Sequence, residues 1–157
     1  MKIEYLCDHM IFADQVAKWI YDEFFENIRT NRTYQDILSG IKVCHKTEFP
    51  IRLVAIMDDK CVGTVSIVEN DLDSREYTPW LAALYVDKAF RNHKIGEQLV
   101  SHVKNIVKGM GYPDLYLRTE NTSDYYRRLG WQFVETCEDH FNLKPDVFKF
   151  NLPNLPP

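Results

Sequence analysis

Leu84-Tyr85-Val86-Asp87-Lys88-Ala89-Phe90-Arg91-Asn92-His93-Lys94-Ile95-Gly96-Glu97-Gln98-Leu99 is the stretch that decides the fold. It is fed by Trp80 to Val86, apolar at nearly every position, the pattern of a strand buried on both faces and therefore central. Ile95, Leu99, Val103, Ile106 and Met110 then recur at helical spacing, up to a stop at Gly109 to Gly111. Between strand and helix lies a basic loop: Arg91, Asn92, His93 and Lys94. A helix start offers unpaired N–H groups and the positive end of the dipole, so a basic loop in front of it makes an anion site, most naturally for phosphate. Exposed loop residues ahead of a capped helix would show the same charge pattern.

Downstream, Tyr116-Leu-Arg-Thr-Glu-Asn-Thr-Ser-Asp-Tyr-Tyr-Arg-Arg-Leu-Gly-Trp131 reads as a strand around Leu115 to Leu117, a polar loop, and a short helix from Thr122 to Leu129. Tyr125 and Tyr126 sit about 100° apart on that helix, so one can face a cleft while the other packs or meets solvent. Trp131 to Thr136 and Val147 to Phe150 are the last strands. Upstream, Phe49 to Met57 and Cys61 to Glu69 form an antiparallel hairpin across Asp58-Asp59-Lys60. Asn70 to Pro79 is a polar loop. Near the N-terminus, Lys2 to Leu6 is a short strand. A helix from Ile11 to Ile28 carries Phe12, Val16, Trp19, Ile20 and Phe24 on one face. Thr33 caps a second helix with Ile37, Leu38 and Ile41. The expected order is β-α-α-β-β-β-α-β-α-β-β, a mixed α/β sheet flanked by helices. One domain is expected over 1–150, followed by a Pro-rich tail over 151–157.

Composition bounds the function. The chain has 157 residues, 45% hydrophobic and 27% charged, too apolar for disorder. Nineteen Lys and Arg against 23 Asp and Glu leave a net charge of −4 and no basic stripe, which weighs against nucleic acid, so no nucleic-acid partner is expected. The apolar run at Trp80 to Val86 falls far short of the roughly 20 residues of a membrane helix, and the N-terminus has no signal-peptide pattern. A soluble, cytoplasmic protein with no membrane partner is expected. Cys7, Cys44, Cys61 and Cys137 form no C-x-x-C pair, and His9, His45, His93, His102 and His140 show no ligand spacing, so no metal site is expected. Acids gather at Asp58, Asp59, Glu69, Asp71, Asp73 and Glu76, a bias toward a cationic ligand or simply a solvated loop.

Arg91-Asn-His-Lys-Ile-Gly96 and Tyr126-Arg-Arg-Leu-Gly130-Trp131 together resemble the GCN5-related N-acetyltransferase superfamily. Its cofactor motif is Q/R-x-x-G-x-G/A after a central strand, and its second signature is Y-x-x-x-G-F/W. The element order agrees over essentially the whole chain. The resemblance implies acetyl-CoA as cosubstrate, held at Leu84, Tyr85 and Val86, at Arg91, Asn92, His93, Lys94, Ile95, Gly96 and Glu97, and at Asn121. It implies acetyl transfer to a primary amine of a small molecule or a peptide N-terminus by direct attack on the thioester. Tyr126 takes the place of the acid that meets the leaving thiolate, with Tyr125 as fallback. Lys94 departs from the motif's first glycine; its side chain must turn outward or place its ammonium on a phosphate. No carboxylate lies within Trp80 to Val86, so Glu69 is the foremost candidate base, with Asp71, Asp73 and Glu76 behind it. Trp19, Tyr21, Asp22, Phe24, Phe25 and Trp80 are candidate acceptor-pocket residues. A non-catalytic CoA-binding module is the competing reading. An unrelated nucleotide binder is disfavoured by the absence of G-x-x-x-x-G-K-[ST] and G-x-G-x-x-G. A homodimer paired through an exposed Val147 to Phe150 strand is a further expectation.

Overall fold

In the computed structural model, residues 1–26 and 31–153 are described. Among the described residues, seven strands and four α-helices follow the expected order. They are β1 (Lys2–Tyr5), α1 (Ala13–Ile20), α2 (Tyr34–Ile41), β2 (Ile51–Met57), β3 (Lys60–Val68), β4 (Trp80–Val86), α3 (Ile95–Gly109), β5 (Asp114–Thr119), α4 (Ser123–Arg128), β6 (Gln132–Thr136) and β7 (Asp146–Asn151). The sheet runs β1-β2-β3-β4-β5-β7-β6. All neighbours are antiparallel except β4 and β5, which are parallel.

Alternation along the strands sorts the two faces. Leu53 and Ala55 of β2 join Val65, Ile67 and Leu81 beneath α3, which contributes Ile95, Leu99, Val103 and Val107. Val54, one residue out of step, faces the other way and packs with Val16, Ile20, Ile37 and Ile41 of α1 and α2. The Asp58–Asp59 hairpin has positive φ at both residues, as a two-residue turn matched to strand twist requires. Thr33 caps α2 as expected: its side chain accepts from the Asp36 amide while the Asp36 carboxylate accepts from the Thr33 amide.

Three expectations are corrected. The first helix leaves α geometry after Ile20. Tyr21–Phe25 forms one π turn, with the Glu26 amide bonded to the Tyr21 carbonyl; the expected end at Ile28 lies outside the described residues. The wider turn places Glu23, Phe24 and Phe25 together on one cavity wall. The strand over Val147 to Phe150 is not an edge. β7 lies between β5 and β6, with Val147 and Phe148 fully buried, because two apolar faces claim an interior slot. The more exposed β6 takes the edge. Finally, β4 is buried only at Trp80 and Leu81 and half-buried from Ala82 onward, because its neighbour on one side moves away.

The connections over the cavity are pinned by charge. The Arg75 guanidinium makes two bonds to Glu135 of β6, at 2.9 and 2.6 Å, and the Tyr77 hydroxyl donates to the same carboxylate. Those donors hold the Glu135 carboxyl down at about 2. In the β6–β7 connection, Asp139 accepts from the Phe141 and Leu143 amides at 2.9 and 2.8 Å and from Arg118 at 2.6 Å. Its side chain is only 1% exposed, so these bonds replace its water entirely. Replacing Asp139 with Ala should therefore cost about 3 kcal/mol, since two amides and half of a guanidinium lose their acceptor. Thermal melting should show a fall of roughly 6–12 °C.

Candidate active site

β4 and β5 touch at one end only. Trp80 pairs with Tyr116, and no further pairing between them follows. On its other side β4 carries a bulge: Ser66 faces Ala82 and Thr64 faces Tyr85, so Ala83 and Leu84 together oppose Val65. Ala83 takes φ +55°, a conformation that costs a non-glycine residue about 1–2 kcal/mol. Bulge and divergence open the sheet at its middle. Backbone groups on the β5 side of β4 beyond Trp80 have no strand opposite them. The opening is a cavity of ≈ 660 Å³. Leu81 to Leu84 line one side, Leu117 to Thr122 the other, and Tyr126 reaches in from α4.

Past Val86 the chain prepares an anion site. Asp87 caps a short turn by accepting from the Ala89 amide at 2.9 Å. Arg91 folds back, its Nε donating to the Val86 carbonyl at 3.0 Å and its guanidinium lying 5.3 Å over the Tyr85 ring. Asn92 and Lys94 both take positive φ, +68° and +61°. That alternation turns backbone N–H groups into one concavity. Lys94 is the N-cap of α3 and its side chain makes no cap bond, so the amides of Ile95, Gly96 and Glu97 remain free for an anion. The positive φ explains why the motif favours glycine here. Lysine accepts about 1–2 kcal/mol of strain here, and its side chain is exposed. This donor set suits a pyrophosphate. Gly96 has a different reason: a Cβ there would meet only Val86 Cγ2 at 3.7 Å, an ordinary contact. Gly96→Ala should raise the stability of the free protein by about 0.5–1 kcal/mol, read as a higher melting temperature.

The acceptor side of the cavity is acidic. Glu23, Asp71, Asp73, Glu120 and Asp139 line it against Arg32 and Arg118. Asp71 is set by its loop: the Asn70 carboxamide accepts from the Leu72 amide at 3.0 Å and donates to the Arg75 carbonyl. Leu72 is driven down as a buried plug beside Trp80 and Val147. Burial pushes the Asp71 carboxyl up to about 7, against the pull of Arg118. On the far wall, burial pushes the Tyr126 hydroxyl up to about 12. Trp131 and Phe148 pack around its ring at 5.9 and 6.4 Å.

The sequence-derived candidates separate into groups. Leu84, Asn121 and Tyr126 line the cavity. Tyr85, Val86 and Arg91 to Glu97 form the anion loop and its approach, beyond the cavity's lining. Glu69 stands exposed just past β3 and does not line the cavity; Asp71 and Asp73, two and four residues on, do. Of the proposed acceptor residues, Phe24 and Phe25 line it. Trp80 is fully buried, Trp19 packs on Tyr85, Tyr21 on Tyr34, and Asp22 pairs with Lys18. Tyr125 is half-buried, its ring edge-on to Tyr126. Sequence reading missed Arg118 and Asp139. Among the described residues no cluster of three His, Cys, Asp or Glu could hold a metal ion, and no helix is long and apolar enough to cross a membrane.

The sequence profile of the acetyltransferase (GNAT) family matches residues 13–131. The chain belongs to the GNAT acetyltransferase family. Solved GNAT structures share its mixed seven-stranded sheet. An aminoglycoside 6'-N-acetyltransferase complexed with coenzyme A superposes with a TM-score of 0.75 at 17% identity, covering 100% of both chains. An aminoglycoside 6'-N-acetyltransferase from Enterococcus faecium gives 0.74 at 17% identity, again over 100% of both. A GNAT family acetyltransferase from Elizabethkingia anophelis with acetyl-CoA bound gives 0.56 at 18% identity, over 66% of this chain and 76% of that one. Acetyl-CoA is the cosubstrate of GNAT enzymes, and the uncapped amides at the start of α3 fit its pyrophosphate. A comparison with curated protein sequences finds no match.

Proposed function

We propose that this GNAT protein transfers acetyl from acetyl-CoA to a primary amine of a cationic small molecule by direct attack on the thioester. The observation that carries the proposal is a cavity at the β4–β5 opening whose lining includes both Tyr126 and Asp71. The anion loop beside it suits the cofactor's phosphates. The acidic lining suits an acceptor with more than one positive charge. Relatives named as aminoglycoside N-acetyltransferases, which share this fold, support an acceptor of that kind.

Acetyl-CoA supplies an acyl group activated as a thioester. The protein supplies the rest. An alkyl amine with a pKa of about 10.4 is mostly ammonium at neutral pH and cannot attack. Asp71, poised near neutrality, takes that proton, directly or through one water. Backbone N–H groups of β4 around the bulge, which have no β5 partner, would stabilise the charge that builds on the thioester oxygen. As the C–S bond breaks, the Tyr126 hydroxyl would donate a hydrogen bond to the sulfur, and the second proton of the attacking nitrogen would pass to the leaving thiolate or to water. Glu23 and Asp73 offer counter-charges for further ammonium groups of the acceptor.

Thermal melting with CoA, acetyl-CoA or ATP tests the donor half. Either CoA form at about 100 times its Kd should stabilise by roughly 2.7 kcal/mol, several degrees, and ATP should not. Release of free thiol from acetyl-CoA, measured with an aminoglycoside, spermidine and a short peptide, tests the acceptor half. Release with either polycation supports the proposal, and release with the peptide alone would move the acceptor to protein N-termini. A CoA-induced shift with no release from any amine would mark a binding module instead.

A further inference from the structure

We propose that Arg118 is the positioning residue of the acceptor wall: one guanidinium ties three separate segments together and so fixes both the place and the charge of Asp71. The proposal deepens the reading above, in which Asp71 is the base. Arg118 stands on β5, and its side chain is 16% exposed. Its Nη2 donates to Asp139 of the β6–β7 connection at 2.6 Å and to Glu120, just beyond β5, at 2.7 Å. Its Nη1 reaches the Asp71 carbonyl in the β3–β4 connection at 3.4 Å. Those three segments supply Asp71, Asp73, Glu120, Asp139 and His140 to the cavity. His140 faces Asp73 at 3.6 Å across the same gap, so the two long connections meet over the guanidinium.

The charge consequence follows from the positions. Asp71 shares the cavity lining with Asp73 on its own connection, Arg118 and Glu120 of the β5 end, Asp139 and His140 of the β6–β7 connection, and Glu23 and Arg32. Arg118 favours its carboxylate; Glu120 and Asp73 oppose it. Burial lowers the proton affinity of Arg118, but its bonds to Asp139 and Glu120 more than offset this, so it stays charged throughout. Arg118 acts on the base as a neighbouring cation, which lowers the proton affinity of Asp71. An arginine that acted only by closing the wall against water would raise it. The two have opposite signs and can be told apart.

Carboxyl-carbon NMR titration of ¹³C-labelled aspartates, with Asp71 assigned through Asp71→Asn, reads the outcome without any turnover. In the wild-type protein Asp71 should titrate near 7. In Arg118→Gln the midpoint should rise by roughly one unit, because the cation is gone and Glu120 and Asp139 lose their partner. In Glu120→Gln it should fall. In Arg118→Lys, which keeps the charge, it should stay near the wild-type value. A merely structural arginine predicts the reverse for Arg118→Gln: a loosened wall admits water and the midpoint drops toward that of an ordinary aspartate. A fall or no change in Arg118→Gln overturns the proposal. If that variant does not fold, an unmoved midpoint in Glu120→Gln or a displaced one in Arg118→Lys overturns it. Full activity in Asp71→Asn would instead defeat the assignment of the base and leave the titration result standing.

Discussion

Tyr126→Phe should lower kcat about 10- to 100-fold while leaving acetyl-CoA affinity and melting temperature almost unchanged. The size follows from the environment of the hydroxyl. Burial pushes it up to about 12, so it stays protonated at any working pH. A thiol has a pKa of about 8.5, so full proton transfer from this phenol to the thiolate would run uphill by roughly 5 kcal/mol. In the proposed mechanism Tyr126 would therefore act as a hydrogen-bond donor to the departing sulfur. Such a bond to a charged group is worth about 1.5–3 kcal/mol, the source of the expected factor. Stability should hold because the ring remains, packed on Trp131 and Phe148. Steady-state kinetics by thiol release, run beside a melt, checks both halves. Tyr125→Phe is the control and should keep near-wild-type kcat. A Tyr126→Phe enzyme with more than half the wild-type kcat would remove the tyrosine from the mechanism. A loss beyond a thousandfold would mean that the proton is transferred after all.

Much of this site is written locally. The anion loop follows from a few consecutive residues, and so does the place of Tyr126 on the cavity lining from Tyr126-Arg-Arg-Leu-Gly130-Trp131. The capping box at Thr33 needs only Asp36 three residues on. What stayed hidden depends on register or on distant pairing. Glu69 and Asp71 differ by two positions in one polar loop, and nothing in the residue types ranks them. The difference comes from Asn70, whose side chain turns the backbone so that Leu72 drops into the core and Asp71 meets the cavity. An asparagine directly after a strand and two residues before a large apolar side chain was the available signal. Arg118 and Asp139 are 21 residues apart and on different elements, so their bond is invisible before the sheet is assembled. The same holds for β7, whose place between β5 and β6 follows from pairing across the whole C-terminal half. The splay of β4 is a third case, because seven apolar residues describe an ordinary central strand. Only the bulge at Ala83 and the lone Trp80–Tyr116 pairing show where it opens.

Asp71→Asn should show a gain and a loss with a common cause. Burial lifts the Asp71 carboxyl from 3.8 to about 7, so the folded protein holds its proton more tightly than the unfolded chain does. The stabilisation from that held proton is fully present below about pH 4. It is lost as the pH rises to about 7, and above that the folded state carries a half-buried carboxylate. Asparagine has no proton to lose. The variant's stability relative to wild type should therefore climb between about pH 4 and 7 and level off beyond. Denaturant melts at pH 4, 6 and 8 measure this. Activity should move the other way. In the wild-type enzyme kcat/KM should fall tenfold per pH unit below about 7, because only the carboxylate accepts the amine's proton. Asp71→Asn should lose that limb and about 100-fold of kcat/KM at pH 8, within the range expected for a general base. A site that keeps its base half-buried thus trades stability for a carboxylate that titrates near neutrality. An acid limb that survives in Asp71→Asn would assign the proton transfer to another group, with Asp73 on the same cavity wall the next to test.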